Sequence, residues 1–417
     1  MVRRLLAIGF IFAGATVAWM ILGATIFSRT YEMEGPSKAK VSSSWGTSQK
    51  QTSPTVAFDT VTSHKELVTE HTKLVERTVN TTETTYLPLD SSKINVAFSV
   101  EHRQKGLLWY TLYKVNFDGT YGYTNNSAKE RRLRFRLTFP AESAIYDDLI
   151  FTVDGQPLTM TSAENAMQGE ANIPAGKNIA VRLAYRSQGQ DTWHYSFGQD
   201  VTQVKNFDLT MKTDFKDIDF PENTLSPTSK RETADGWELD WDYKSLVSGF
   251  EIGMVMPQKL QPGPLAGRIS FFAPVSLFFF FFLMFIITTL RNIDLHPMNY
   301  FFLAAAFFAF HLLLAYTVDH ISIHLAFLIC SLVSIFLVVS YLRLVVGIRF
   351  AAVEAALAQL VYLIFFSYAF FFKGFTGLTV TVIAIITLFV VMQMTGHVDW
   401  SDKFAKPPRA GGVGAGR

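Results

Sequence analysis

The strongest constraint in this sequence is a set of six apolar segments, each about as long as a membrane-spanning helix. A helix needs about 20 predominantly apolar residues to cross roughly 30 Å of hydrocarbon, because its backbone polar groups must be satisfied within the segment. The six segments are Leu5–Phe27, Phe271–Leu290, Tyr300–Tyr316, Ile321–Tyr341, Phe350–Phe372 and Gly374–Met394. The sequence therefore predicts an α-helical membrane protein with six transmembrane helices.

The segments divide the chain into regions suited to two solvents. Of the 417 residues, 49% are hydrophobic and 17% are charged, yet residues 29–267 carry the dense charge of a soluble domain. We therefore expect an N-terminal transmembrane anchor at 1–28, an inserted β-rich domain at 29–267, a five-helix transmembrane block at 268–400 and a disordered cytoplasmic tail at 401–417.

The first apolar segment has a second interpretation as a cleaved signal peptide. Arg3 and Arg4 precede it, and the small residues Gly23 and Ala24 lie near its end. Its apolar core is longer than the roughly 7 to 15 residues of a signal h-region, however, and it continues through Phe27. We therefore favour an uncleaved anchor.

Positive charge near the segment ends predicts the orientation, because Lys and Arg are retained on the cytoplasmic side. With the N-terminus inside, nine basic residues fall in cytoplasmic flanks and one, Lys373, falls in a short outer turn. The nine are Arg3, Arg4, Arg291, Arg343, Arg349, Lys403, Lys406, Arg409 and Arg417. We expect both termini in the cytoplasm and the β-rich domain outside it. Trp19 fits either an interfacial anchor or an ordinary lipid-facing aromatic residue.

The region between the first two segments shows the alternation of a half-buried sheet. Apolar side chains recur at every second position in Leu133–Phe139, Val181–Arg186 and Trp237–Tyr243. Pairs that accept positive φ, and so suit turns, stand at Asp118-Gly119, Asp154-Gly155 and Asp235-Gly236. The pattern predicts an all-β domain, specifically an antiparallel β-sandwich. The single cysteine lies at Cys330 in an apolar segment, so no disulfide is expected in this domain.

One stretch of this domain, His64–Asn80, fits two secondary structures. Its Leu67 and Leu74 would share a face with neighbouring apolar residues on a helix, whereas its many threonines and valines favour a strand. Both interpretations remain open at this level.

Polar residues inside or beside apolar segments are candidates for function, because placing them in lipid is costly. His311, Asp319, His320 and His324 form such a candidate cluster at one membrane edge. His320 and His324 are four residues apart and would share a helical face, with Asp319 nearby. We interpret the cluster as interfacial groups bonded to each other and to water, with proton sensing and metal binding as alternatives. We assign no metal ligand and no cofactor.

Other polar residues of the apolar block have structural interpretations. Glu354, about one turn from a segment end, is expected to pair with Arg343 or Arg349. Hydrogen bonds between helices are expected for Gln359, Tyr362 and Gln393.

The sequence carries no enzymatic motif with useful spacing. It has no Gly-rich phosphate loop, nucleophile elbow, HExxH sequence or cysteine cluster, so we predict no catalytic residue and no enzymatic activity. A net charge of +2 without a basic stripe also argues against nucleic-acid binding.

Three groups of residues form motifs that together resemble those of a known family. The first group, in the apolar block, consists of His296-Pro297, Tyr300 to Leu303, Leu312 to Leu314 and Asp319 to Ile321. The second group, at the end of that block, consists of Thr395 and Asp399-Trp400. The third group, in the β-rich domain, consists of Leu87-Pro88, Glu101-x-Arg103-x-x-Gly106, Tyr113, Phe117 and Gly119. With these motifs the chain resembles the CreD family of bacterial inner-membrane proteins.

The chain also departs from the family pattern. His311 stands where a tyrosine is expected, and Phe372-Lys373-Gly374 replaces an acidic motif before the last segment. Gly396-His397 stand where the closing motif has a basic residue. These departures indicate a divergent member and weaken any role that depends on the acidic group.

The resemblance implies a multi-pass protein of the bacterial inner (cytoplasmic) membrane with a role in cell-envelope integrity and the envelope-stress response. It implies no reaction. We therefore expect a non-enzymatic protein, in contact with membrane lipid, whose periplasmic domain binds an envelope protein or a cell-wall component. The alternative is a transport-linked or proton-coupled protein with the topology of a secretion partner. That function predicts an ionisable group near the bilayer midplane, whereas the ionisable residues here gather at the segment ends.

Overall fold

The computed structural model describes residues 2–70, 73–142, 144–198, 203–372, 374–396 and 398, with the side chains of 2, 66–70 and 73–77 left aside. The chain forms two compact units. The helical unit comprises Met1–Gly35, Gly106–Leu108 and Leu260–Arg417, and the β unit comprises Pro36–Lys105 and Trp109–Lys259. The predicted tail at 401–417 lies outside the described residues.

Six helices in the described part of the chain are long and apolar enough to cross a membrane. They are α1 (Val2–Trp45), α2 (Pro262–Leu290), α3 (Pro297–Thr317), α4 (Ile323–Val345), α5 (Phe350–Phe371) and α6 (Thr376–Thr395). The prediction of six such helices around an inserted β region is therefore confirmed.

Two of the helices extend well beyond the predicted apolar segments. α1 continues 18 residues beyond Phe27 to Trp45, a total length of roughly 66 Å. α2 begins at Pro262 rather than Phe271, where proline suits the first turn because its missing N–H costs nothing there. Hydropathy marks the part of a helix that suits lipid, and it cannot detect a helix that continues in polar sequence.

The helical unit is held together by aromatic and aliphatic side chains on the inner faces of the helices. In the run of five phenylalanines on α2, Phe280 is fully buried and its ring lies 4.5 Å from that of Phe307 on α3, whereas Phe278 is about half exposed. Trp19 is also fully buried, against Phe308, so neither the interfacial nor the lipid-facing interpretation of this residue holds.

In the described part of the β unit, sixteen strands form three sheets. They are β1 (Gln49–Thr52), β2 (Thr55–Glu70), β3 (Lys73–Tyr86), β4 (Leu89–Lys105), β5 (Leu108–Thr124), β6 (Arg131–Thr138), β7 (Tyr146–Val153), β8 (Gln156–Pro157), β9 (Thr161–Ala163), β10 (Ala166–Ile173), β11 (Asn178–Gln190), β12 (Thr192–Ser196), β13 (Val204–Thr213), β14 (Ser229–Glu232), β15 (Trp237–Leu246) and β16 (Ile252–Val255). The strand orders are β1-β12-β16, β3-β2-β6-β10-β9 and β14-β15-β13-β4-β5-β11-β7-β8.

The three sheets contribute to one hydrophobic core. The predicted alternation is confirmed, since Leu133, Phe135 and Leu137 on β6 are buried, and the same holds for the alternating apolar residues of β11. Most neighbouring strands are antiparallel, but β13 runs parallel to β4 and β1 runs parallel to β12. The β unit is thus a multi-sheet assembly with two parallel pairs that the alternation did not predict.

The predicted turn pairs had different outcomes. Asp154-Gly155 connects β7 to β8 with φ of +48° and +79°, as a tight turn requires. Asp118-Gly119 was wrongly placed in a turn, because both residues lie inside β5, where Asp118 binds Arg182 of the neighbouring strand.

The described residues of the ambiguous stretch, 64–70 and 73–80, form strand. β2 and β3 pair as a long antiparallel hairpin in continuous register from Ala57↔Tyr86 to Glu70↔Lys73. β2 also pairs with β6, but only at residues 55–57. The rest of the hairpin is a two-stranded ribbon, in which β-branched residues are favoured over a helix.

Asp235-Gly236 lies in the connection from β14 to β15, where glycine is required by a close approach. A Cβ added at Gly236 would lie 2.0 Å from the carbonyl oxygen of Thr213. We predict that Gly236→Ala lowers the free energy of unfolding of the β unit by about 1–3 kcal/mol, as overpacking does. Gly249→Ala is the matched control, because nothing lies within 4 Å of its added Cβ.

The measurement is thermal unfolding of the full chain in detergent, followed by tryptophan fluorescence. Equal melting temperatures for the two variants would contradict the close approach at Gly236.

Candidate functional site

The predicted cluster at the membrane edge does not form a single site. His311 is buried inside α3, and its Nδ1 lies 2.9 Å from the carbonyl oxygen of Phe307. Its ring meets that of Trp19 edge-on at 5.5 Å, and its Nε2 has no hydrogen-bond partner within the described residues. His311 is thus a side chain packed between helices.

Asp319 follows α3 and has a different partner. Its Oδ2 accepts a hydrogen bond of 2.6 Å from Nη2 of Arg29 on α1. The guanidinium of Arg29 also lies 5.1 Å from the ring centroid of Tyr316. This ion pair fastens the end of α3 to α1.

The two remaining histidines are exposed and do not share a helical face. His320 lies in the turn between α3 and α4, and His324 lies in the first turn of α4, where its ring is 5.1 Å from that of Phe371. The predicted face required a continuous helix, which the turn after Thr317 interrupts. Among the described residues no group of three His, Cys, Asp or Glu side chains could hold a metal ion.

Two of the family-motif residues gather around the end of α1. The guanidinium of Arg103 lies 4.7 Å from the ring centroid of Trp45, and the ammonium of Lys114 lies 5.9 Å from it. Glu101 accepts a 2.9 Å hydrogen bond from Lys114. Within the β unit these residues attach the last turn of α1 to β4 and β5, so their arrangement supports a structural role.

Several other family-motif residues lie in the helical unit. Gly106 adopts φ of +58° in the turn after β4, next to the buried Leu107. The Nδ1 of His296 caps α3 by accepting a hydrogen bond from the N–H of Met298, and Pro297 follows at the first helical position. Tyr300 is fully buried. Asp399 and Trp400 lie outside the described residues.

Glu354 has a different partner from those predicted. Its Oε1 lies 2.5 Å from Nη1 of Arg291, which follows α2, rather than pairing with Arg343 or Arg349. The packing of the helices brings Arg291 next to Glu354. The separation of the two residues in the sequence gave no indication of this contact.

A network of neutral polar side chains crosses the interior of the helical unit. Nε2 of Gln359 donates to Oγ of Ser334 at 2.7 Å, and Ser334 donates to the carbonyl oxygen of Ala306 at 2.8 Å. Three residues further along α5, the hydroxyl groups of Tyr362 and Thr387 lie 2.7 Å apart. Gln359 is nine residues from the start of α5, a rise of roughly 14 Å, which is about half the hydrocarbon thickness.

The network coincides with irregular backbone in α5. Two π-helical segments, Phe350–Ala355 and Leu360–Phe365, flank a single α-helical turn. π segments interrupt the regular i→i+4 bonding, and here Ser276 of α2 donates to the carbonyl oxygen of Tyr362. The predicted interhelical hydrogen bonds of Gln359 and Tyr362 are confirmed, whereas Gln393 is exposed on α6.

A concave surface in the described part of the β unit lies on the outward face of the eight-stranded sheet. We call it the sheet trough. It consists of two depressions of about 470 Å³ and 560 Å³ that share Ala97, Asn116 and Arg186. The small side chains of Ala97 and Ala184 leave room, and a register shift between β11 and β7 follows Ala184.

Charges of both signs line the sheet trough, and they are paired. Arg182 donates to Asp118 through Nε at 3.0 Å and Nη2 at 2.8 Å, and these hydrogen bonds, with the charge of Asp118, raise the pKa of Arg182. Nη2 of Arg186 binds Asp147 at 3.0 Å and also contacts Asp148. The trough therefore presents polar groups to a ligand, and these charged side chains are already paired with one another.

Tyr146 borders one end of the sheet trough and stays neutral. Burial raises its pKa to about 12, and its hydroxyl group donates to the carbonyl oxygen of Ala141 at 3.1 Å. Sequence reasoning missed the trough, because its residues occupy the polar positions of alternating strands and look like any solvated sheet face.

The fold defines a class of protein: an integral membrane protein in which a β-rich unit is inserted between the first and second of six apolar helices. A sequence model described as inner membrane protein CreD matches residues 1–401. The chain therefore belongs to the CreD family of inner membrane proteins, which is not a known enzyme family. No curated protein matches the chain.

Solved structures resemble the chain only distantly. A Legionella pneumophila protein described as nutrient binding is 9% identical, with a TM-score of 0.34, over 56% of this chain and 76% of that one. An M1 zinc metallopeptidase from Deinococcus radiodurans is 10% identical, with a TM-score of 0.25, over 40% of this chain and 42% of the peptidase. Scores this low carry no argument about function.

The polar network predicts a measurable coupling between α4 and α5. Ser334→Ala removes the acceptor of Gln359, and Gln359→Leu removes the donor, so a double-mutant cycle should give a coupling energy of about 0.6–1.7 kcal/mol. Ser331→Ala is the control, because this buried hydroxyl donates only to Phe327 of its own helix. Unfolding of the full chain in mixed micelles is the measurement, and strictly additive effects for Ser334 and Gln359 would contradict the network.

Proposed function

We propose that this protein is a non-enzymatic inner-membrane protein that supports cell-envelope integrity or the envelope-stress response. In this function the β unit lies in the periplasm, and the sheet trough binds a polar envelope component or a partner protein. The observation that carries the proposal is the sheet trough, a preformed concave surface on a unit inserted between membrane helices. Family membership supports the membrane setting.

The distribution of arginine supports this orientation. Arg4 lies in the first turn of α1, Arg291 follows α2, Arg343 is in the last turn of α4 and Arg349 precedes α5. The order of the helices therefore gathers these four residues at one end of the helical unit, against two, Arg29 and Arg268, toward the other end. By the positive-inside rule the end with four arginines faces the cytoplasm, so the segment from α1 to α2 lies on the opposite side.

Transport coupled to protons is not favoured by the polar network. Its members, Ser276, Ser334, Gln359, Tyr362 and Thr387, are all neutral at physiological pH. Hydrogen bonding between helices accounts for them.

The orientation predicts which positions react with a membrane-impermeant maleimide. In a Cys330→Ala background, which removes the only native thiol, Val247→Cys should be labelled in intact spheroplasts because Val247 is 78% exposed in the β unit. Ile348→Cys, in the exposed turn between α4 and α5, should be labelled only after permeabilisation. The reverse pattern would exclude a periplasmic β unit.

The trough predicts different effects for two substitutions on the same strand face. Ala184→Trp would fill the trough, whereas Ala180→Trp lies four residues away on β11, is equally outward-facing and does not line it. A photo-crosslinker at Asn95, in intact cells, should capture a ligand at least about tenfold less well in Ala184→Trp than in Ala180→Trp, corresponding to about 1.4 kcal/mol of binding free energy.

Protease and muramidase digestion of the crosslinked product distinguishes a partner protein from a cell-wall component. Envelope challenge with detergent should give sensitivity in Ala184→Trp and none in Ala180→Trp. Equal capture and equal resistance in the two variants would exclude the trough as the binding surface.

A further inference from the structure

An arginine at the start of α1 is incompletely paired. Nη1 of Arg4 binds Oδ1 of Asp294 at 3.1 Å, and the Asp294 side chain is 95% exposed. The Nε and Nη2 atoms of Arg4 are buried and have no hydrogen-bond partner within the described residues. These two nitrogens form one edge of the guanidinium group, and that edge is left free.

A guanidinium edge with two unpaired N–H donors can bind an anion that presents two oxygens. Arginine has five N–H donors in a planar fork, and it binds carboxylate or phosphate through two parallel hydrogen bonds. A buried donor of a charged group that lacks an acceptor is costly, because its hydration has been lost without replacement. The exposed pair with Asp294 contributes little in compensation, since solvent screens exposed ion pairs.

An apolar groove begins at the residue after Arg4. It has a volume of about 220 Å³ and its lining is almost wholly apolar. It is formed by Leu5, Ile8, Gly9 and Phe12 of α1 and by Phe278, Phe281, Phe282 and Phe285 of α2. The groove follows α1 for about two turns, roughly 10 Å, and open space surrounds the position that a Cβ on Gly9 would occupy.

We propose that Arg4 and this groove together bind one anionic phospholipid. The phosphate accepts hydrogen bonds from Nε and Nη2 of Arg4 once the side chain turns this covered edge toward the groove, and an acyl chain lies along the groove between α1 and α2. A cation beside an apolar groove in a membrane helix matches the two parts of a phospholipid. A free phosphate would leave the groove unused, and a neutral lipid would leave the guanidinium edge unpaired.

The test measures lipid binding to the full chain purified in detergent. Phosphatidylglycerol and phosphatidylcholine with identical acyl chains are titrated, and bound lipid is counted by native mass spectrometry. Wild-type protein should retain one phosphatidylglycerol in preference to phosphatidylcholine, and inorganic phosphate at equal concentration should not displace it. Displacement by phosphate would show an anion site without a chain-binding groove and would overturn the proposal.

Matched variants separate the two parts of the site. Arg4→Gln should weaken phosphatidylglycerol binding about tenfold, whereas Arg3→Gln, at the exposed neighbouring residue, should not. Gly9→Phe should weaken it by filling the groove, whereas Gly14→Phe, also surrounded by open space on α1 but outside the groove, should not. Equal losses in Arg4→Gln and Arg3→Gln would indicate general surface attraction and would overturn the proposal, as would full binding by Gly9→Phe. Unchanged melting temperatures without lipid show that each variant folds.

Discussion

The need to satisfy polar groups in hydrocarbon is the constraint on which the helical unit depends. Water is absent there, so each backbone group freed by the π segments of α5 needs a partner from another helix. Ser276 supplies one at Tyr362, while Gln359 reaches Ser334 and through it the backbone of α3. The polar side chains that look costly in the sequence are therefore the ones that tie the helices together.

The sequence predicts the membrane helices and the strands well, because each kind of element has its own pattern of apolar residues. Apolar length identified the six helices, and alternation identified β6 and β11. Local sequence patterns gave wrong predictions where tertiary contacts determine the secondary structure. Asp118-Gly119 reads as a turn, yet the pairing of Asp118 with Arg182 belongs to a continuous strand. The polar end of α1 was missed because hydropathy reports lipid contact rather than helix.

The candidate site was less predictable than the fold, for a related reason. Interhelical hydrogen bonds of Gln359 were foreseen from its apolar surroundings, but its partner Ser334 was not, since serine in a membrane helix most often bonds its own backbone, as Ser331 does. The sheet trough depends on strand register and on the shift after Ala184, neither of which can be obtained from one strand alone. The spacing of four residues also wrongly predicted that His320 and His324 share a helical face, because His320 lies in the turn before α4.

The two candidate surfaces differ in how their cations are paired, and this difference decides what each can bind. In the sheet trough Arg182 and Arg186 already have carboxylate partners, so a charged ligand would exchange one exposed ion pair for another and gain little. Affinity there must come from shape and from hydrogen bonds to groups such as Asn116, which favours a polar ligand of low net charge. At Arg4 the unpaired edge is already desolvated, so an anion that pairs with it loses its own hydration but adds no further desolvation of the guanidinium. Salt should therefore weaken binding at Arg4 more than binding in the trough.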